Sequence, residues 1–265
     1  MTANTNSTTL AHDDTGGSGR LVVMLPGAGD LRSEYRFVAG PVAAAGYRVV
    51  TADLPGHGDS APADEYTVGS TASALVDLID GLDAGPAVVV ATSFAPAAAV
   101  WAANERPDLI AGIVAISPHF TADPSLKGRL QGAAIKALIR GPWAAALWAK
   151  LYAGWYKAAP PADLHAELGR LRAMLGHPAS RKAVRETLTA DRDGVAERMA
   201  RLDRPTLSVF GSADDHFTDP VAEAESTAAE LRGEHLVVDG AGHYSHVEQP
   251  DLVAGAIISF LRRLA

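Results

Sequence analysis

The stretch from Val88 to Val100 reads VVVATSFAPAAAV. Three valines and an alanine lead into a hydroxyl pair, Thr92 and Ser93, and an alanine-rich tail containing Pro96 follows. A β-branched run suits a buried strand, and a tail of small residues suits a helix packed close against it. Between the two, a sharp turn would present Ser93. An ordinary buried segment is one alternative. A membrane span is another, because Ala84–Asn104 holds no charged residue and is long enough to cross a bilayer. Pro86, Thr92, Ser93 and Pro96 interrupt that span, and a buried strand followed by a buried helix makes the same pattern.

Similar apolar runs recur along the chain: Leu21–Leu25, Arg48–Ala52, Ala87–Ala91, Gly112–Ile116, Thr206–Phe210 and His235–Asp239. None alternates apolar with polar, which suits strands buried on both faces of a parallel sheet. Helical spacing lies between them, in Leu75, Leu78, Ile79 and Leu82, and again in Val253, Ile257, Phe260 and Leu261 with Pro250 near the start. The expected fold class is therefore α/β, a mostly parallel, doubly wound sheet over residues 21–120 and 201–265. No strand-like run occurs in residues 121–200. Leu164, Leu168, Leu171 and Leu175 mark one helix there, and Trp148, Leu151, Tyr152 and Trp155 another. An inserted helical cap over the carboxyl edge of the sheet is expected, where open α/β sheets bind ligands.

The chain has 265 residues, 48% of them hydrophobic, and a formal net charge of −8. No block of Lys and Arg stands out, so neither nucleic acid nor an anionic membrane is an expected partner. Cysteine is absent, which excludes a thiol nucleophile and cysteine-ligated zinc. Residues 1–20 are polar without an apolar core. They read as a mobile tail rather than a signal peptide, and the cytoplasm is the expected location.

At Ser93 the pattern is small-x-Ser-x-small, Ala91-Thr92-Ser93-Phe94-Ala95. Small flanks let strand and helix approach at a tight turn, which holds the hydroxyl clear and aims the Phe94 N–H at a developing oxyanion. Three further features accompany it: PGAGD after the first run, LPGHGDS after the second, and FGSADD with DGAGHYSHVEQP after the last two. Together they resemble the α/β-hydrolase family over nearly all of Leu21–Ala265 except the cap. The resemblance implies Ser93 as nucleophile, His243 as general base and Asp214 as its acid. It puts the backbone N–H of Ala28 beside that of Phe94 in an oxyanion hole, and it implies no cofactor and no metal. Departures from the family pattern are Ala instead of Gly at both flanks of Ser93, Thr92 instead of His, and Pro26-Gly27 instead of His-Gly.

Several positions keep a second reading. Asp215 could replace Asp214, and His246 could replace His243 or line the pocket. His243, His246 and Glu248 lack the spacing of a metal site. GAGDLR lacks the third glycine of a dinucleotide loop. His57 reads as a turn residue. The cap aromatics Trp143, Trp148, Tyr152, Trp155 and Tyr156 read first as core, with Trp148 and Trp155 as candidate pocket walls beside His119 and Phe120. The expected function is hydrolysis of a small, mainly apolar ester or lactone through an acyl-enzyme on Ser93. Thioester or carbon–carbon bond hydrolysis would use the same triad, and a ligand receptor that retains a triad is the reading from another class.

Overall fold

A computed structural model describes residues 8–121, 130, 133–134 and 137–264. Strand β1 (His12–Asp14) pairs antiparallel with β3 (Arg48–Ala52). The strands β2 (Leu21–Leu25), β3, β4 (Ala87–Thr92), β5 (Ile110–Ile116), β6 (Thr206–Gly211) and β7 (Glu234–Val238) are parallel to their neighbours, and the sheet order is β1-β3-β2-β4-β5-β6-β7.

Two apolar layers explain why these strands show no alternation. Val23, Leu25, Val89, Ala91, Ile113 and Ala115 face α2 (Val68–Leu82) and α3 (Ala95–Glu105). Their neighbours Val22, Met24, Val88, Val90, Val114 and Ile116 face α1 (Ala39–Ala44) and α10 (Pro250–Arg263). Successive side chains point to opposite faces, and both faces are dry. Fully burying each valine is worth about 1.5–3 kcal/mol. Helix α3 is buried through Ala95, Ala97, Ala98, Ala99, Ala102 and Ala103, so its backbone lies close against the sheet. The uncharged stretch Ala84–Asn104 is thus split between a strand and a helix. No helix among the described residues is long and apolar enough to cross a membrane.

Between β5 and β6 lie α4 (Ala144–Gly154), α5 (Leu164–Gly176), α6 (Pro178–Leu188) and α7 (Val195–Arg201). Trp148, Tyr152, Leu171, Leu175 and Val184 form a satellite core that also takes in Leu31, Tyr244 and Val247 from the main body. The cap is therefore sealed onto the loops beneath it. Helices α8 (Pro220–Leu231) and α9 (Ser245–Glu248) complete the described set.

Two boundaries differ from expectation. Residues 1–7 of the expected mobile tail lie outside the described residues, but residues 8–20 are not free. Leu10 is buried in the core, and β1 lengthens the sheet by a polar, exposed edge strand. At the other end, α7 falls within the residues 121–200 assigned to the cap, yet Val195 and Met199 pack into the α2–α3 side of the core. Cap residues 122–129, 131–132 and 135–136 lie outside the described residues.

Candidate active site

The loops that leave β2, β4, β5, β6 and β7 all end at the carboxyl edge of the sheet. Ser93 sits between the last residue of β4 and the first of α3, with φ of 59°. A side chain in this left-handed region is strained, and such strain is held in place by the structure around it. Here the Ser93 N–H donates to Ile116 O (2.9 Å), and Ser93 O accepts from the His119 N–H (2.8 Å). Every other residue from Ala87 to Val100 is buried, and Ser93 alone keeps partial exposure.

The loop after β2 lies against it. A Cβ on Gly27 would meet the Ser93 Cβ at 3.2 Å, so the small residue permits the approach. The amides of this loop are almost all engaged. The Gly27 N–H donates to Glu34 Oε2 (3.0 Å), the Gly29 N–H to His57 Nε2 (3.1 Å) and the Asp30 N–H to Gly27 O (3.1 Å). The N–H groups of Ala28 and Phe94 find no acceptor among the described residues. Two free donors, one next to Ser93 in sequence and one next to the Gly27 that packs against it, suit a developing oxyanion.

Buried polar side chains brace this loop. Burial pushes Glu34 up to about 7 and His57 down to about 4. Asp30 is raised by burial and by the neighbouring Glu34. His57 Nδ1 lies 2.9 Å from Pro55 O, which makes Nε2 the acceptor for Gly29. His246, an expected pocket or alternative base residue, is instead fully buried under the loop. Its Nε2 is 2.9 Å from Glu34 Oε1 and its ring 5.2 Å from Tyr35. Burial draws His246 down to about 3, and neither Glu34 Oε1 nor either His246 nitrogen has a hydrogen-bond partner among the described residues. Trp148, expected as a wall, donates Nε1–H to Gly29 O (2.9 Å) and pins the loop from the cap side.

On the opposite side, Asp214 follows β6 and is 1% exposed. A Cβ on Gly211 would strike the carbonyl oxygens of Gly242 (2.2 Å) and Ala241 (2.3 Å), so this glycine lets the β6 and β7 loops meet. Asp214 Oδ2 lies 2.8 Å from His243 Nδ1, and Oδ1 lies 2.9 Å from His216 Nδ1. Burial pushes the Asp214 carboxyl up, but His243 and His216 together pull harder and hold it below the usual carboxylate range. Burial, with His216 nearby, lowers His243, although Asp214 opposes this. Asp215 points outward to Lys157 Nζ (2.7 Å). Glu248 accepts the N–H groups of Gly242 (2.6 Å) and Lys157 (2.8 Å).

His119 links the two sides: its amide bonds Ser93 O, while its ring stacks on Phe217 (4.8 Å) and lies 5.8 Å from His243. Burial and the two other histidines push it down to about 3. Trp155 is half-buried, 4.9 Å from His216 and 6.0 Å from His243 between ring centroids. Phe94 and Phe120 are buried together in the α3-side core. Sequence reasoning passed over His216, Glu34 and Arg192. The last packs 4.6 Å over the Phe94 ring and donates Nε–H to His119 O (3.2 Å).

A sequence profile of the Alpha/beta hydrolase family matches residues 22–256. The chain belongs to that family. An uncharacterised protein of Mycobacterium tuberculosis is 28% identical over 253 residues, covering 88% of this chain and 73% of that protein. A thermophilic esterase from Thermogutta terrifontis superposes with a TM-score of 0.82 at 23% identity, over 99% of this chain and 96% of the esterase. The enol-lactonase from Burkholderia xenovorans LB400 gives 0.82 at 19% identity, over 98% and 99%. At those identities the two structures establish the shared fold. Membership of the family supports a hydrolase role.

Proposed function

We propose that this protein is a serine hydrolase that cleaves a small, mainly apolar carboxylic ester or lactone through an acyl-enzyme on Ser93. One observation carries the reading: the strained, partly exposed Ser93 has two uncommitted amides, Ala28 and Phe94, at its side. The Asp214–His243 pair supports it from across the site.

A serine hydroxyl needs a base at neutral pH. With His243 Nδ1–H donating to Asp214, the lone pair is on Nε2. Ser93 Oγ adds to the substrate carbonyl as its proton passes to Nε2. The oxyanion is held by the amides of Ala28 and Phe94, each worth about 3–4 kcal/mol in such sites. Collapse breaks the carbon–oxygen bond, and the leaving alkoxide takes the proton from His243. Water then adds to the acyl-enzyme by the same route and frees Ser93. Asp214 stays ionised and steadies the imidazolium.

Labelling with a fluorophosphonate, followed by peptide mapping, tests the nucleophile, and a panel of p-nitrophenyl esters and lactones tests turnover. Label on Ser93 with steady turnover is the expected result. Label elsewhere would remove the proposal. Specific binding of such molecules without turnover would favour a receptor instead.

A further inference from the structure

Asp214 faces two imidazoles, and acyl transfer needs one. The rings of His216 and His243 stand 4.1 Å apart between centroids. One ligand atom each from Asp214, His216 and His243 lies within 4.8 Å of the others, the one such group among the described residues. The His119 ring closes a further side, 5.8 Å from both. Asp214 is wholly buried, but the His216 side chain is 25% exposed and opens the group to solvent.

We propose that Asp214, His216 and His243 form an inhibitory binding site for a divalent transition ion of the zinc type. Two imidazole nitrogens and a carboxylate oxygen are donors that zinc takes, at about 2.0–2.2 Å in a tetrahedral arrangement. Bonds of that length set donors roughly 3.3 Å apart. The three groups must therefore draw together, and His216, the most exposed of them, is the one with solvent on a side to move through. His119 is the nearest candidate for a further ligand.

The consequence for catalysis follows from the imidazole tautomer. An ion on Nδ1 of neutral His243 displaces the hydrogen now shared with Asp214, and that hydrogen moves to Nε2. An Nε2 that carries hydrogen has no lone pair for the Ser93 proton. The ion thus blocks acylation without touching Ser93. This inhibitory half rests on the serine-hydrolase reading; ion binding does not.

The experiment uses tag-free protein, stripped by a chelator and desalted. Zinc chloride is titrated by calorimetry, and ester hydrolysis is followed at the same zinc concentrations. The expected result is one ion per chain, loss of rate as the site fills, and recovery on adding EDTA. His216→Phe should weaken binding at least tenfold and move the inhibition curve equally far, measured against its own zinc-free rate. His216→Gln, a milder change, should act in the same direction. Ser93→Ala should bind zinc as the parent does. Unchanged zinc affinity in both folded His216 variants would overturn the site, and full occupancy with undiminished hydrolysis would overturn its inhibitory role. Should no ester turn over at all, the calorimetric arm still decides whether the site exists.

Discussion

The two walls beside Ser93 bury carboxyl groups equally deeply and treat them in opposite ways. On the side of the proposed oxyanion hole, Asp30 and Glu34 are fully buried without a lysine or arginine in contact among the described residues, and both are raised. On the base side, Asp214 is just as buried but is lowered by two imidazoles. Burial disfavours the charged form in both places, and the neighbours decide the outcome. The difference suits the two tasks. Below about pH 7 burial holds the first pair towards the uncharged form, which suits a proposed oxyanion hole that must not repel a developing negative charge. On the other wall, a proposed general base calls for a standing negative charge that can meet an imidazolium.

The largest effects should come from breaking the base wall or the nucleophile itself. Ser93→Ala and His243→Ala should each lower kcat by roughly 10⁴-fold or more, and the double variant should be little worse than either. Measured additivity of the two losses would show that the residues do not act as a unit. Asp214→Asn should come next, at roughly 10³–10⁴-fold, because an amide in place of the carboxylate disturbs the tautomer of His243. Asp215→Asn loses an exposed pair with Lys157 and a longer approach to His216 (3.9 Å), and should change kcat less than threefold. The reverse ranking would move the acid by one residue and dissolve the contrast between the walls.

How much of this was legible beforehand depended on whether a pattern was local. The strands from Leu21 to Gly211 were readable because a buried parallel strand writes its environment into consecutive residues, and β7, half-exposed at the sheet edge, was readable from Leu236–Val238. The tight turn at Ser93 was readable because Ala91, Ser93 and Ala95 lie within five consecutive residues. Strand β1 escaped because His12–Asp14 is exposed at a sheet edge and carries no apolar signal. The bracing of the oxyanion loop escaped for a different reason. Glu34, His57, Trp148 and His246 are spread over more than 200 positions, and each resembles an ordinary surface, turn or core residue until the fold brings them together. Within the base wall, His216 stood two residues from Asp214 in SADDHF, and its polar run read as a loop.

The oxyanion wall predicts a pH signature in stability. In the unfolded chain Glu34 ionises near its ordinary value of 4.5, whereas in the fold it holds its proton up to about 7. Below pH 4.5 both states are protonated and nothing is lost. Between 4.5 and 7 the folded state binds more protons than the unfolded one, so stability falls as pH rises. Above about 7 the whole penalty is present. Glu34→Gln keeps an oxygen for the Gly27 N–H and removes the charge. It should therefore gain on the parent protein as pH rises, by on the order of 1–3 kcal/mol between pH 5 and pH 8. Urea unfolding at the two values measures this. An equal difference at both would mean that Glu34 is ionised in the fold, and the two walls would then be electrostatically alike.

The smallest effect tests whether stiffness of the oxyanion wall reaches the chemistry. Trp148 is 3% exposed, and its indole N–H bonds the Gly29 carbonyl, one residue beyond the amide proposed to hold the oxyanion. Trp148→Phe keeps an aromatic ring in the satellite core and deletes that donor. Leaving a buried carbonyl unpaired costs about 1–3 kcal/mol, which should lower Tm by several degrees. If the bond also sets the direction of the Ala28 N–H, part of the loss appears in the transition state, and kcat should fall by roughly 2- to 10-fold with KM little changed. Lys157→Met, which removes a rim pair on the base side, is the matching control and should move neither quantity appreciably. A Trp148→Phe protein that melts earlier but turns over at the parent rate would show that the cap anchors the loop without aligning it. Its contribution would then belong to the fold, and the alignment of the Ala28 amide would rest on Glu34 and His57 from beneath.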